Sequence, residues 1–501
     1  MNAVAAIAGA SLRRCQGDVM STLRDHPSES GASGRHPNAE RARRADTTDP
    51  GEADRPRRRY AVVGLSNRGV ASFVRPLLGV SDSGAGEDAT LGYGADADDF
   101  SGHGELVAVL DVDRARAGAF AATILPPGHP DVPAYAPEQY GDLLRWTRPD
   151  AVIVTSPDHT HARYIVEALK HGVDVISEKP MVATAADAAR VLEAERESAG
   201  TVRVTHNLRY TSRHRQIKRM VLAGAIGRPL HVNLDYHVDI RHGASYFLRW
   251  NRERANSGGL TIHKSTHHLD LISWWLADAP STVYAVGGRD YYGPGSPHRP
   301  DAASPAQVRE RDPYYQAQRG SGTFPDGAGE TRRGLFDLPY EVQYPAGRDL
   351  YLYDDEIDIE DHVAALLTFE RGATAAYAVD FSSPWEGYRA TLTGTHGTIE
   401  MFTGRTPDGE ALPGSGQVVH RPLFGPAEVI DIESVSGGHD GADPLMRRDL
   451  FVGPDAESVA LGLGASAREG ALAVAAGEAI WRSIGEGRIL SIAELLNGEY
   501  S

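Results

Sequence analysis

The sequence predicts an α/β fold: an N-terminal Rossmann-type, doubly wound parallel sheet, followed by an α/β domain with a large, mostly antiparallel open sheet. Three observations predict it. Short continuous apolar runs alternate with helical stretches between residues 60 and 204, the pattern of buried parallel strands joined by right-handed crossovers. A glycine-bearing turn, Gly64-Leu65-Ser66-Asn67-Arg68-Gly69, joins the first strand to the first helix. Beyond Asn207 the segments lengthen and alternate in polarity, as strands do when only one face is covered.

The parallel half begins at Tyr60-Ala61-Val62-Val63-Gly64 and continues with Leu106–Leu110 and Ala151–Val154. A helix from His161 to Lys170, stopped by Gly172, follows. Asp174–Ile176 is the next strand, then a helix from about Ala185 to Glu197, then Val202–Val204. The Gly- and Asp-rich segment 80–104 interrupts this rhythm and reads as a surface insertion. Residues 1–57, rich in Arg, Asp, Glu, Ser, Gly and Pro, are expected to form a disordered extension. Domains are then expected over 58–206 and 207–501. In the second, Leu230–Tyr236, Val363–Phe369, Thr374–Val379 and Arg389–Leu392 read as strands. Residues from about 291 to 355 read as a long loop, and about Ala465 to Ser483 as a helix.

A net charge of −17 over 501 residues argues against nucleic acid as a partner, because phosphate binding needs a basic face. No run approaches the roughly 20 apolar residues of a membrane span. Arg13 and Arg14 follow the mildly apolar first dozen residues instead of preceding them, so neither a Sec nor a twin-arginine signal is expected. The single cysteine, Cys15, rules out an intrachain disulfide and fits a reducing, cytoplasmic compartment.

The glycine turn has the properties of a dinucleotide site. Gly64 permits the tight turn, Gly69 lets helix and strand approach, and the helix start at Asn67 and Arg68 offers N–H groups to a pyrophosphate. Ser66 stands where a second glycine is usual, and its hydroxyl is expected to donate to a phosphate oxygen. Asp111, closing the second strand, suits the adenosine ribose hydroxyls and repels a 2′-phosphate, which favours NAD over NADP. Arg114 and Arg116 stand close enough in sequence to counter it.

Glu178-Lys179-Pro180 leaves a buried strand at the carboxyl edge of the sheet, where ligands bind in this fold. Together with the glycine turn, further stretches form an ordered set: Asn207-Leu208-Arg209-Tyr210, Gly224-Ala225-Ile226-Gly227, Gly258-Gly259, His267-His268-Leu269-Asp270 with Trp274-Trp275-Leu276, and Gly394-Thr395-His396-Gly397-Thr398-Ile399-Glu400. In these the chain, from about Tyr60 to Leu496, resembles the glucose–fructose oxidoreductase/inositol dehydrogenase (Gfo/Idh/MocA) family. The resemblance implies hydride transfer between a nicotinamide and a carbon of a sugar, inositol or related polyol. It also implies a homodimer or homotetramer joined through the second domain's sheet. Lys179 matches the family's catalytic lysine and His267 its general base. Ser156, Pro157, Asp158 and His161 fall in a loop that borders the cofactor in the family, and Glu178 is expected near the nicotinamide ribose.

His267 also has a local rationale. Asp270, Leu271 and Trp274 follow it at helical spacing, so it stands in a first turn, where the helix dipole lowers a histidine's pKa and keeps a base neutral. Many family members carry Asp four residues earlier; here His263 stands there, and helical i, i+4 geometry would set it beside His267 as a partner in proton transfer. A metal is not expected, since no Glu lies between these histidines and no third ligand is evident. Asn207, Arg209 and Tyr210 are candidate substrate contacts, with His237, Trp250 and Trp385 as further lining. Two other functions compete: a glycoside-processing enzyme working by transient oxidation and elimination, and a non-catalytic NAD-binding regulator. Net NADH release separates the first from a dehydrogenase, and the presence of both Lys179 and His267 argues against the second.

Overall fold

The computed structural model describes residues 56–80, 98–302, 304–318, 332–333, 339–340, 350–432 and 438–498. The expected disordered extension, apart from its last two residues, and most of the expected insertion lie outside this set. Pro56–Ser501 forms one compact unit.

The first sheet has the order Ala465–Ser466, Val202–Val204, Asp174–Ser177, Ala151–Val154, Arg58–Val63, Gly104–Leu110, Ala134–Tyr135. All neighbours run parallel except the Ala465–Ser466 edge, which is antiparallel to Val202–Val204. Its central strands are apolar on both faces because helices cover both, so Val62, Val63, Val152 and Ile153 are wholly buried. Chain order reverses between Arg58–Val63 and Ala151–Val154. A crevice opens at such a switch point, outside the carboxyl ends of the strands.

Helix His161–Lys170 and helix Ala185–Glu197 lie where the sequence places them. The helix after the glycine turn contains a π-type turn at Val70–Val74 just before Pro76. A proline lacks the N–H for an α-type bond and crowds the carbonyl four residues back, so a wider turn ahead of it relieves both problems.

The second sheet has nine strands: Glu428–Asp431, Gln417–Pro422, Gly397–Arg405, Glu386–Gly394, Pro229–Asp239, Thr374–Ser383, His362–Phe369, Pro280–Gly288 and Leu490–Ser491. It is antiparallel apart from the pairing of Pro229–Asp239 with Thr374–Ser383. Strict alternation turns Val363, Leu367, Tyr377, Val379 and Phe381 inward, whereas Tyr284, Val286 and Leu366 stand exposed on the outer face. Within the expected loop of 291–355 the chain instead forms two short helices, Pro305–Arg311 and Pro313–Gln318. Ser304 caps the first, and each has a proline at its first position, where no donor is needed.

Helix Ala467–Glu486 packs its small-residue face on this domain's core. A Cβ at Gly477 would stand 2.9 Å from Ile262 Cγ1, so the glycine lets this helix press directly against the segment leading into His263. Helix Thr266–Leu276 is buried on nearly every side, its polar Thr266, His267, His268 and Asp270 included. Trp274 and Trp275 spend their indole N–H groups on the carbonyls of Leu461 and His214. Among the described residues no helix is long and apolar enough to cross a membrane. Trp275 has no exposed surface; Trp275→Ala should therefore destabilise the protein by about 3–5 kcal/mol, read as a lowered urea midpoint.

Candidate active site

Three loops meet at the switch point. Gly64 holds φ +94°, and a Cβ there would lie 2.7 Å from Ser156 N, so only glycine lets the two strand-end loops touch. Ser66 caps the helix at Asn67: its hydroxyl accepts from Gly69 N (3.0 Å) and donates to Thr155 O (3.1 Å). The hydroxyl hydrogen that the sequence reading assigns to a phosphate oxygen thus has a backbone acceptor within the protein. Asp111 accepts from Leu65 N (2.6 Å) and Asp113 N (2.8 Å), so it braces the glycine turn, with Arg116 3.6 Å away. Burial raises its pKa above the ordinary carboxylate value. His161 likewise has partners within the protein: one ring nitrogen lies 2.7 Å from Ser156 O and the other 3.0 Å from Pro180 O, so it fastens the two loops together from below.

Arg68 ties these loops to the second domain. Its Nε donates to Glu178 (2.8 Å), and its two terminal nitrogens grip Asp443 in a bidentate pair at 2.6 and 3.0 Å. Asp443 also receives Asn207 Nδ2 (2.9 Å) and lies 2.9 Å from His439 Nδ1. Burial alone would raise its pKa, but Arg68 and His439 hold it well below the carboxylate range. Sequence reading missed Asp443, which lies 236 residues beyond Asn207 and has no local pattern to mark it.

Lys179 follows the strand Asp174–Ser177 through a turn whose Lys179–Pro180 peptide is cis. Its Nζ donates to His263 O (3.3 Å). Burial, reinforced by Lys264, lowers its pKa to about 8 against the pull of Asp158 and Glu178. His267 is the second residue of helix Thr266–Leu276 and is buried, with no partner for Nδ1. Burial first, then Lys179 and Lys264, keep its pKa well below that of an ordinary histidine, so the ring is neutral at pH 7.

His263 does not pair with His267. The chain breaks at Lys264–Ser265, between the short helix Leu260–His263 and helix Thr266–Leu276, so the two histidines do not share one helix. His263 Nδ1 instead meets Asp158 Oδ2 at 2.5 Å, and Asn251 Nδ2 approaches its other nitrogen at 3.1 Å. Burial outweighs Asp158 and leaves its pKa lowered. A carboxylate thus stands beside this position after all, contributed by the Ser156–His161 loop.

Arg209 and Tyr210 are not brought to the cleft. Arg209, 1% exposed, pairs with Asp270 at 2.5 and 2.8 Å and with Glu469 at 2.8 Å. Tyr210 is buried and hydrogen-bonded to Asp449. His237 lies on the outer side of its strand against Trp385 (ring centroids 4.5 Å apart), away from Lys179, whereas Trp250 packs on His263 at 5.7 Å. His206, which sequence reading passed over, is fully buried with both ring nitrogens unpaired, 3.8 Å from Asp270. Its place just past the strand Val202–Val204, at the same carboxyl edge as Lys179, was the available signal.

The site suits a dinucleotide. The glycine turn, the capped helix start and the Ser156-Pro157 loop flank the switch point, and buried polar atoms of His206, Asn207 and His267 have no protein partner there. Buried polar atoms without a partner are unusual in a folded interior, and these stand at the edge where ligands bind in this fold.

Comparison with known proteins agrees. The family described as "Oxidoreductase family, NAD-binding Rossmann fold" matches residues 58–206, and "Oxidoreductase family, C-terminal alpha/beta domain" matches 218–492. The protein YteT of Bacillus subtilis (strain 168) is 38% identical over 442 residues, covering 86% of this chain and 97% of its own length. An inositol 2-dehydrogenase of Rubrobacter xylanophilus is 32% identical over 188 residues, 36% of this chain and 48% of its own. The solved levoglucosan dehydrogenase in complex with NADH and levoglucosan shares the fold at 15% identity, with TM-score 0.57 over 87% of this chain and 100% of that one.

If Asp443 positions Arg68 for the cofactor, Asp443→Asn should raise the dissociation constant for NADH about tenfold, a loss of ~1.4 kcal/mol, in a fluorescence titration. Unchanged affinity would detach Arg68 from cofactor binding.

Proposed function

Because this chain belongs to the Gfo/Idh/MocA oxidoreductase family, we propose that it is an NAD(H)-dependent dehydrogenase acting on a secondary alcohol carbon of a sugar, inositol or related polyol. One observation carries the reading: Lys179, with a pKa of about 8, and His267, a neutral ring with an unpaired nitrogen, act on each other electrostatically at the carboxyl edge of the sheet. NAD is favoured over NADP, because Asp111 keeps a carboxylate at the end of the second strand. When bound, the nicotinamide supplies the hydride acceptor. Lys179 as a cation donates to the substrate hydroxyl oxygen and stabilises the negative charge that develops there. His267 takes the hydroxyl proton, and its low pKa returns that proton readily in the reverse direction. Ser156 and Pro157 border the cofactor, and the buried, unpaired Asn207 Oδ1 is the acceptor offered to the substrate.

A second reading, elimination from a glycoside after transient oxidation, draws on the His263–Asp158 pair as an additional proton-transfer group. Substrate-dependent NADH accumulation favours the dehydrogenase, and turnover without it favours elimination. The reading includes a cytoplasmic setting, which rests on the single cysteine. It also includes a dimer or tetramer that covers Tyr284, Val286 and Leu366 on the outer sheet face. Light scattering that gives a monomer at micromolar concentration would overturn the assembly.

For oxidation, kcat/KM should hold through pH 6.5 and fall only well below it as His267 protonates, since burial keeps its folded pKa far under that value. It should fall again as pH rises through about 8, where Lys179 loses its proton. Lys179→Arg should push the basic limb out of range, and Lys179→Met should abolish turnover with NADH affinity nearly intact. A rate that climbs through pH 8 would make neutral lysine the base and reverse the two roles.

A further inference from the structure

Lys264 occupies a place that the dehydrogenase reading leaves unused. It stands at the break between the two short helical segments that carry His263 and His267. Its ammonium lies 5.6 Å over the Tyr236 ring, and among the described residues its side chain makes no hydrogen bond or ion pair. Standing in the chain between His263 and His267, it acts electrostatically on both, and on Lys179, His242 and Glu386. Glu386, whose charge acts on Lys264 together with that of Asp239, is already held by His242 at 2.9 Å, by the Tyr236 hydroxyl at 3.3 Å and by Arg405 at 3.6 Å.

A second cation, Arg249, belongs to the segment that packs on His263. Arg249 makes no ion pair among the described residues, and its Nε is buried without a partner. Its charge acts on the hydroxyls of Tyr246 and Tyr314. The Tyr246 ring packs edge-on against His263 at 5.6 Å, and its hydroxyl meets His242 Nε2 at 2.9 Å. The segment 246–251 therefore wraps His263, with Tyr246, Trp250 and Asn251 all touching that ring.

Two unpaired, partly buried cations are costly unless something compensates them. A neutral polyol offers only hydroxyl dipoles. We propose that the substrate is a sugar acid, whose single carboxylate is held by Lys264 with Arg249 as the second cation, while its secondary hydroxyl lies at Lys179 and His267. This inference rests on the dehydrogenase reading for the reacting end of the substrate. One negative charge fits better than two, because Asp158, Glu178 and Glu386 share the cleft and would repel a phosphate dianion.

The test compares D-galacturonate with D-galactose, and D-glucuronate with D-glucose, using the full chain and NAD+. The acid of each pair should be used at least about tenfold better in kcat/KM, and the advantage should shrink as sodium chloride is raised. Lys264→Met and, independently, Arg249→Met should collapse the acid-to-neutral ratio mainly through KM, and Lys264→Arg should restore most of it. Equal use of acid and neutral sugar, a preference for the corresponding sugar phosphates, or an equal loss on both sugars in both Met variants would overturn the proposal. Calorimetric titration of D-galacturonate into NADH-loaded protein separates this proposal from the reading beneath it. If no sugar reduces NAD+, the dehydrogenase reading fails. The sugar-acid site then stands if galacturonate binds wild type and not Lys264→Met, and falls if it binds neither or both.

Discussion

Arg68 holds two carboxylates that come from distant parts of the chain, and the geometry of the cleft depends on that grip. Glu178 precedes the catalytic lysine candidate, Asp443 belongs to the second domain, and Arg68 itself belongs to the dinucleotide turn. All three side chains are largely buried, so the charges are worth having only as a complete set. Removing one partner from such a set leaves an uncompensated charge in the interior, a loss of about 3–5 kcal/mol where it has been measured. The clamp therefore couples two elements physically: the glycine turn cannot shift without moving the turn that carries Lys179.

The histidines answer to a second constraint, the shortage of free negative charge around them. His206, His263 and His267 are all shifted toward the neutral form, chiefly by burial, with Lys179 and Lys264 adding repulsion at His263 and His267. Asp158 goes to His263 and Asp270 stands 3.8 Å from His206, whereas among the described residues no carboxylate pairs with His267. A neutral ring beside a lysine that still holds its proton is the pairing that moving a hydroxyl proton requires.

Much of the fold was legible in the sequence because burial on both faces writes itself as uninterrupted apolar runs. Ala151–Val154, Val202–Val204 and the helices His161–Lys170 and Ala185–Glu197 all stand where their patterns put them. The site was legible where a residue leaves a strand or enters a helix, as Lys179 and His267 do. It was not legible where a partner comes from far away. The distance between His263 and His267 in sequence looked like one helical turn, and only the break at Lys264–Ser265 sends His263 toward a carboxylate 105 residues earlier. Arg209 and Tyr210 looked like lining because polar residues after a strand end often are; Asp270, Glu469 and Asp449 draw them into the core instead. Ser66 carried a readable sign, since a serine just before a helix caps it more often than it binds anything else.

The antiparallel pairing of Ala465–Ser466 onto Val202–Val204 has a consequence for how the chain is made. The edge of the first sheet is finished by residues synthesised roughly 260 positions later, which at 5–20 residues per second is a delay of about 15–50 s. Through that interval the nascent first domain presents an open strand edge to every other chain on the polysome. The edge is short, three residues, and its middle residue is the exposed Arg203, features that discourage a neighbouring strand from docking there. Until residues 465 and 466 arrive, the last strand of the first sheet is guarded only by its shortness and by Arg203.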